Sequence, residues 1–334
     1  MTKKVKGKKL RYKLSPQITA ALILICHTFI SANSFCGEGL VIYAVGDIMP
    51  SEKASPFIKK HGHGYPYKKT RKLLQSGDIV IGNLETPLTV SGSAAKGKQY
   101  VFKSPPETAG ALKEAGFTHM SLANNHMMDY GPEGLESTVN NLESAGLHSM
   151  GAGKNIREAR RPELLRVKGK KVALLAYSNT FPKDYYAGSN KAGTAPGYTA
   201  FVKSDILKAS KISDFVITSF HWGAELMDSP KEYQKELARL AIDSGADLVL
   251  GHHPHILQGV EFYKEGVIFY SLGNFSFAAY SKNAKESIIA RITIGEKGID
   301  SIEAIPINVD NFKVHFQPEV LEGARAEAVL SKLN

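Results

Sequence analysis

Cysteine is nearly absent from this sequence of 334 residues, which contains only Cys26 and Cys36. Tryptophan is scarcer still, because Trp222 is the only one. Both cysteines precede residue 38, so the rest of the chain has no thiol for a disulfide, a cysteine–zinc site or a cysteine nucleophile. Any metal bound in this larger part must be held by histidine, aspartate, glutamate or asparagine.

Acidic residues are missing from the N-terminus, where the first is Glu38. Seven lysines and arginines precede residue 14, so they supply seven of the formal +10 charges and leave +3 for the remaining chain. A protein that binds nucleic acid needs clustered basic residues on its folded surface. The charge distribution therefore argues against a nucleic-acid partner.

The basic N-terminus is followed by an apolar segment, residues 14–37, that contains no charged residue. Its most apolar part, residues 18–30, is shorter than the roughly 20 residues of a typical membrane-spanning helix. This pattern predicts that residues 1–37 are a signal peptide or an uncleaved N-terminal membrane anchor. In both cases we expect residues 38–334 to form a single domain outside the cytoplasm, either secreted or anchored to the cell membrane.

Strand-like and helix-like segments alternate between residues 40 and 251. The predicted strands are residues 40–46, 78–83, 117–123, 171–178, 214–220 and 247–251. The predicted helices are residues 67–75, 106–115, 132–145 and 231–244. Such alternation is typical of an α/β domain with a largely parallel sheet. After residue 251 strand-like segments follow one another at turn-length gaps, which predicts antiparallel strands.

Polar side chains follow five of the six predicted strands. Because ligands bind at the carboxyl ends of the strands in open α/β sheets, these side chains are candidates for a common site. Carboxylate, amide and neutral imidazole groups together suit Mn, Fe or Zn. In chain order the candidates are Asp47, Asn83, Glu85, Asn124, Asn125, His126, Asp129, His221, His253 and His255.

The last of these strand ends carries the sequence GHHPH at residues 251–255. If the chain stays extended there, His253 and His255 share one face and His252 points to the other. Taken alone, the motif favours a solvated loop after a buried strand over a metal site. Beside the other polar strand ends it favours His253 and His255 as ligands, and it predicts no such role for His252.

Six short motifs occur in a fixed order: GDIM, NLE, ANNH, HWG, GHHPH and YSLGNF. Together with YVFKSPPETAGALKEAGF at residues 100–117, this set resembles the bacterial CapA family of poly-γ-glutamate capsule synthesis proteins. That family is similar in turn to calcineurin-like metallophosphoesterases. The resemblance spans about residues 41–277 and implies a metallophosphatase-like layered α/β sandwich, with mixed sheets flanked by helices.

The same resemblance implies a metal centre and the residues that act around it. One or two divalent cations, Mn, Fe or Zn, would be held by Asp47, Glu85, Asn125, His221, His253 and His255. His126 would be the general acid, and Asp129 would fix the tautomer of its ring. Candidate substrate contacts are Asn124, Trp222 and Lys103, although Trp222 fits a core position equally well and an exposed Lys103 needs no such role.

The sequence departs from the phosphoesterase pattern at two positions. The phosphoesterases open with Asp-x-His, whereas this chain has Met49 in place of the histidine, and a thioether is a poor ligand for hard divalent cations. Their second motif supplies an aspartate, and its counterpart here is Glu85, or Asp78 at the other end of the same strand.

Two functions are compatible with these residues. The first is a metal-dependent hydrolase or transferase that acts on a phosphoester or an amide during synthesis, export or remodelling of capsule or poly-γ-glutamate. The second is a non-catalytic accessory subunit that binds an anionic polymer or a membrane synthase. Both imply an anionic surface polymer or its precursor as a partner, and membrane synthase or export subunits as further partners.

Overall fold

The computed structural model describes residues 39–333, so the predictions for residues 1–37 lie outside the described residues. The strands are β1 Leu40–Met49, β2 Ile79–Leu84, β3 His119–Ser121, β4 His148–Met150, β5 Ala152–Gly153, β6 Glu163–Val167, β7 Lys170–Ser178, β8 Gly193–Thr194, β9 Phe215–His221, β10 Leu248–His252, β11 Leu257–Tyr263, β12 Gly266–Leu272, β13 Asn274–Phe277, β14 Glu286–Gly295, β15 Gly298–Asn308 and β16 Glu319–Val320. The α-helices are α1 Ser55–His61, α2 Arg71–Leu74, α3 Thr108–Glu114, α4 Gly131–Ser144, α5 Ile156–Ala159, α6 Thr199–Ala209, α7 Glu232–Asp243, α8 Asn311–Val314 and α9 Gly323–Leu330. In this part of the chain no helix combines the length and the hydrophobicity that crossing a membrane requires.

Two mixed sheets form the centre of the fold. The first has the strand order β16-β15-β14-β1-β2-β3-β4, and β13 also pairs with β1. Strands β1 to β4 are parallel, whereas β14, β15 and β16 are antiparallel to their neighbours. The second has the order β11-β12-β10-β9-β7-β6, with four parallel strands between the antiparallel edge strands β11 and β6.

A continuous apolar core lies between the two sheets. Ile42 and Ile81 from the first sheet belong to the same buried cluster as Leu174 and Ile217 from the second. Each fully buried aliphatic side chain of this size contributes roughly 1.5–3 kcal/mol to folding. Because alternate residues of a strand point to opposite faces, the other face of each sheet needs its own cover.

Helices supply that cover. Leu112 of α3 and Leu135 of α4 pack in the cluster outside the first sheet, while Val202 of α6 and Leu237 of α7 pack in the cluster outside the second. The result is a helix–sheet–sheet–helix arrangement. The predicted layered α/β sandwich with mixed sheets flanked by helices is therefore confirmed.

The predicted elements differ from the observed ones in a few places. The segment predicted as one helix at residues 67–75 is a 3₁₀ turn at Tyr65–Tyr67 followed by the four-residue helix α2. Helix α6 was not predicted, since its first turn, TAFV, mixes aromatic and β-branched residues that are common in strands. Strands β12 and β13 are parallel to β10 and β1, so the expectation of antiparallel pairing after residue 251 is correct only for part of that region.

Candidate metal centre

The candidate site lies where parallel strands of both sheets end. Asp47 lies near the end of β1, Glu85 follows β2, and His221 is the last residue of β9; all three are buried. Asn83 connects the two sheets, because its Nδ2 donates to Asp47 Oδ1 at 2.8 Å and lies 3.2 Å from His221 Nδ1. The structure thus brings the predicted ligands of the two sheets to one place.

One half of the site is formed by Glu85, His221 and His253. Each offers a ligand-type atom, and these atoms lie within 4.8 Å of one another. His221 Nε2 is 3.4 Å from Glu85 Oε1 and 2.8 Å from Asn125 Oδ1. The ring of His253 has its centre 4.7 Å from that of His221. Four of the six predicted ligands therefore surround this half.

The other half is formed by Asp47, Glu85 and His255, whose ligand-type atoms also lie within 4.8 Å of one another. Asp47 Oδ2 is 3.1 Å from His255 Nδ1, and Glu85 Oε1 is 4.0 Å from His255 Nε2. Glu85 is the residue common to both halves. A carboxylate has two oxygens, so Glu85 is able to act as a metal ligand in each half.

Several buried polar atoms in the site have no hydrogen-bond partner among the described residues. They are both carboxylate oxygens of Glu85, Nδ1 of His253 and both ring nitrogens of His252. Leaving such an atom unpaired costs about 1–3 kcal/mol. A divalent cation would accept lone pairs from the carboxylate of Glu85 and the ring of His253, which belong to one ligand group, and oxygen with imidazole nitrogen is a donor set that Mn, Fe and Zn accept. The residues present therefore fit a bound metal.

The pKa values of the site follow from burial and from the close acidic and basic groups. Burial raises the pKa of Glu85 to about 8, and the Asp47 carboxylate adds to that shift. Burial also raises the pKa of Asp47, but the rings of His252 and His255 outweigh it and hold that pKa well below its usual range. Burial lowers the pKa of His221 and His253, so both rings are neutral and offer lone pairs.

His126 and Asp129 form a hydrogen-bonded pair next to Asn125. His126 Nδ1 is 2.7 Å from Asp129 Oδ2, and Asp129 Oδ1 accepts a hydrogen bond from the ammonium group of Lys98 at 2.5 Å. The backbone N–H of Phe102 also donates to Asp129 Oδ2, at 2.8 Å. An acceptor at Nδ1 fixes the proton there and leaves Nε2 as the nitrogen that can exchange a proton with a ligand. The contact between the two side chains is the one that the family resemblance implies, and the role of His126 as the acid stays a prediction.

Aromatic rings cover the rim of the site. The ring centre of Phe102 is 4.3 Å from that of His126, and the ring centre of Phe277 is 4.5 Å from that of His255. Phe102 and Phe277 lie edge to face, with their centres 6.3 Å apart. These apolar rings limit the access of water to the polar groups, which strengthens the electrostatic interactions among them.

Trp222 does not line the site. Its side chain is completely buried, stacks on Phe220 at 4.6 Å between ring centres and donates from Nε1 to the carbonyl of Tyr270. It belongs to the core outside the second sheet. The prediction of a substrate contact is therefore wrong for Trp222, because adjacent residues at a strand end point to opposite faces of the sheet.

The other two predicted substrate contacts differ in outcome. Lys103 is exposed and its ammonium group lies over the ring of Tyr130, so its contact with a substrate stays a prediction. Asn124 is completely buried and uses its amide to donate to Asn83 Oδ1 and to the carbonyl of Leu84. Its Oδ1 accepts from the backbone N–H of His126, so Asn124 shapes the loop and has no free group for a substrate.

The geometry expected for GHHPH is wrong in its details. β10 ends at His252, and His253 and His255 have φ values of 93° and 61°, so the chain is not extended there. Both rings nevertheless reach the site, with their centres 6.0 Å apart. His252 is not solvated but buried, with Nδ1 3.4 Å from Asp47 Oδ1.

One contributor, Lys98, was not identified from the sequence, whereas Met49 was identified as a departure from the phosphoesterase pattern. Lys98 comes from an irregular segment with no strand or helix pattern, so nothing local indicated its contact with Asp129. Met49 is buried against Ala54, Ala278 and Phe316 and accepts a hydrogen bond from Ser51 Oγ at 2.9 Å. Its thioether is therefore already engaged in packing.

Comparisons with known proteins identify the family of this chain. The family model described as "Bacterial capsule synthesis protein PGA_cap" matches residues 41–279. The chain is 32% identical over 321 residues to "Capsule biosynthesis protein CapA" of Bacillus anthracis, covering 92% of this chain and 78% of that protein. It is 32% identical over 267 residues to "PGA biosynthesis protein CapA" of Bacillus subtilis (strain 168), covering 79% of this chain and 70% of that protein.

Solved structures share the fold at low sequence identity. A hypothetical protein from Thermus thermophilus aligns with a TM-score of 0.53 and 14% identity over 80% of this chain and 99% of that chain. The NAD nucleotidase of Haemophilus influenzae aligns with a TM-score of 0.51 and 14% identity over 88% of this chain and 62% of that chain. The fold is thus metallophosphatase-like, and the chain belongs to the bacterial capsule synthesis protein PGA_cap family, whose CapA members it resembles over most of its length.

Proposed function

We propose that this capsule and poly-γ-glutamate biosynthesis protein is a metal-dependent hydrolase or transferase of the metallophosphoesterase type that acts outside the cytoplasm. The observation that supports an enzyme most strongly is the pair of ligand groups that share Glu85. A purely structural site needs one closed set of ligands, whereas two adjacent groups with a common carboxylate are the arrangement of two-metal hydrolases.

The chain's own residues have definable tasks in this proposal. Asp47, Glu85 and His255 would hold one cation, and Glu85, His221, His253 and Asn125 the other. Bound cations would supply Lewis acidity toward a phosphoryl or acyl oxygen.

The proton transfer is assigned to His126. Its Nε2 would deliver a proton to the leaving group, while Asp129 holds the proton on Nδ1 and keeps the ring in place. Lys98 neutralises Asp129 and donates to the carbonyl of Asn125 at 2.5 Å, so it connects the acid to the metal ligands. Phe102 and Phe277 would keep water away from the reacting groups.

One observation favours the alternative of a non-catalytic accessory subunit that binds an anionic polymer or a membrane synthase. Met49 occupies the position of a ligand histidine, and its side chain is packed in an apolar cluster. The half of the site near Asp47 therefore has one ligand fewer than the phosphoesterase pattern. A cation held there would still attract an anionic chain without cleaving it.

Metal content and turnover of the full-length chain would separate these functions. The protein would be stripped with a chelator, loaded with Mn, Fe or Zn, and tested on a panel of phosphoesters and γ-glutamyl peptides. We expect bound metal and metal-dependent turnover in the parent protein. The His253→Ala variant should lose turnover and the cation held by Glu85, His221, His253 and Asn125. A His61→Gln variant, altered at an exposed histidine of α1, is the control and should behave like the parent.

Each outcome has a defined meaning. Metal uptake without turnover on any substrate supports the accessory subunit. Failure to take up any of the three metals contradicts both the enzyme and the cation-mediated binding of polymer.

The proposed location outside the cytoplasm depends on residues 1–37. It is tested by determining the N-terminus of the exported protein and its distribution between membrane and medium. A mature N-terminus near residue 35 in the medium indicates a signal peptide, an intact N-terminus in the membrane fraction indicates an anchor, and recovery only from the cytoplasm contradicts the proposal.

A further inference from the structure

A second group of metal-ligand side chains lies away from the candidate centre, where the outermost strands of the two sheets meet. His119 is the first residue of β3, His148 is the first residue of β4, and Glu163 is the first residue of β6. The candidate centre is at the carboxyl ends of the parallel strands, whereas His119 and His148 lie at the opposite, amino-terminal ends. One ligand-type atom of each residue lies within 4.8 Å of the other two.

Register and strand order explain why these three side chains meet. His119 and His148 are paired directly in the parallel β3–β4 ladder, and their rings stack with centres 5.1 Å apart. β4 is the edge strand of the first sheet and β6 is the edge strand of the second. His148 Nδ1 lies 3.0 Å from Glu163 Oε1, so this pair already spans from one sheet to the other.

One ring nitrogen of His119 is available to a cation. Thr118 Oγ1 lies 2.8 Å from His119 Nδ1 and 3.1 Å from the carbonyl oxygen of Val80. When the hydroxyl donates to that carbonyl, it accepts the proton of Nδ1, and Nε2 then carries the lone pair. The residue is only 3% exposed, and Nε2 has no hydrogen-bond partner among the described residues.

This arrangement matches the way proteins prepare a metal-binding histidine. A ligand histidine generally donates its other ring N–H to a fixed acceptor, which orients the ring and sets the tautomer. Thr118 provides that acceptor here. Burial lowers the pKa of His119 to about 3, with smaller effects from His148 and Lys113, so the ring stays neutral and able to bind a cation.

We propose that His119, His148 and Glu163 bind a divalent transition-metal ion of the zinc type, which joins the edges of the two sheets. Two imidazoles and one carboxylate are a known zinc ligand set, and solvent would complete the coordination beside the more exposed His148. The site does not depend on the proposed function of the candidate centre. Its consequence is stability, because an ion that binds only the folded chain stabilises that chain.

One neighbouring charge opposes a bound cation. Lys113 lies close enough to lower the pKa of His119. Its ammonium group is bound to the carbonyl of Gly146 at 2.7 Å, and the negative charge of Glu163 offsets it across the site. The ion would therefore bind near both the carboxylate of Glu163 and the ammonium group of Lys113. Replacement of Lys113 by methionine removes that positive charge and should raise the affinity of the site for the ion.

The test uses the full-length chain and Zn²⁺ alone. Zinc per chain and zinc affinity would be measured for the parent and for the His148→Gln and Glu163→Gln variants, which alter partly exposed side chains and should fold. We expect each variant to lose one zinc equivalent or to bind it roughly 10-fold or more weakly. His61→Gln, at an exposed histidine on α1, is the matched control and should keep the parent's zinc content.

A second measurement separates this site from the candidate centre. In a His253→Ala background, Zn²⁺ should still raise the melting temperature, and adding His148→Gln should reduce that rise. Equal zinc contents and equal melting shifts in the parent and in both site variants would overturn the proposal. A loss that occurs equally in the His61→Gln control would overturn it as well.

Discussion

Replacement of Glu85 by glutamine should stabilise the metal-free protein and at the same time abolish metal binding at the candidate centre. Both carboxylate oxygens of Glu85 are buried without a hydrogen-bond partner, and burial raises its pKa to about 8. The folded, metal-free chain therefore favours the neutral acid, which glutamine imitates in shape and charge. The metal-loaded protein has the opposite requirement, because a neutral amide is a much weaker ligand than a carboxylate shared by two groups.

The size of the effect follows from the difference between the folded and unfolded pKa values. The unfolded value is 4.5, so at about pH 7 an unfolded chain has lost this proton while the folded chain retains it. About pH 7 lies roughly 2.5 pH units above the unfolded pKa. At 1.36 kcal/mol per unit, this interval corresponds to at most about 3 kcal/mol of lost stability in the parent. Because the folded pKa is raised, this contribution is fully present below about pH 4 and is lost as the pH rises through about 8.

The assay is urea unfolding of chelator-treated protein at several pH values, followed by circular dichroism. Glu85→Gln should unfold at higher urea than the parent at about pH 7, and the gap between them should shrink at about pH 5. Glu236→Gln, at an exposed glutamate of α7, is the control and should follow the parent. Parallel stability curves for Glu85→Gln and the parent across this range would refute the reasoning, as would full metal binding by Glu85→Gln.

Three further predictions concern other parts of the fold. Trp222→Phe should lower the free energy of unfolding by about 1–3 kcal/mol, because the carbonyl of Tyr270 loses its donor; unchanged stability, or altered metal content, would contradict a pure core role. Asp129→Asn should lower any turnover by about 100-fold or more without loss of metal, measured as kcat, since the acceptor of the His126 proton is altered; an unchanged kcat contradicts the assigned role. Burial raises the pKa of Asp247 to about 6, so its contribution to stability is present below about pH 4 and lost as the pH rises through about 6. Asp247→Asn should therefore be more stable than the parent at about pH 7, by about 1 kcal/mol after allowance for solvent screening, and equal urea midpoints would contradict this.

Much of the candidate site could be predicted because its residues follow buried strands. A strand such as β2, with all six residues buried, shows itself as a continuous apolar run, and the polar residue after it marks the strand's end. Asp47, Glu85, His221 and His253 were all found in this way. Parallel strands expose their ends on the same side of a sheet, so finding the ends predicted that side chains at the strand ends of one sheet, such as Asp47 and Glu85, would be neighbours. That the strand ends of the two sheets also meet was decided by the tertiary structure.

The errors have an equally local cause. His252 was expected to face away from the site because a strand alternates its side chains, but β10 ends at His252 and the following residues take positive φ values. Alternation no longer applies where the backbone turns. Trp222 was predicted as a substrate contact, but here the alternation of side chains does hold. β9 places His221 toward the site, so the next side chain, that of Trp222, enters the core.

The sequence by itself determined the apolar strands, the order of the polar strand ends and the residue types available as ligands, because each of these is a property of neighbouring residues. Only the tertiary structure decided that Glu85 belongs to two ligand groups, that Lys98 binds Asp129, and that His119, His148 and Glu163 meet at the sheet edges. These contacts join segments that are far apart in the chain. The contacts of Glu85 and those of His148 with Glu163 depend on how the two sheets face each other, and that relation is set by the shared core rather than by any local pattern.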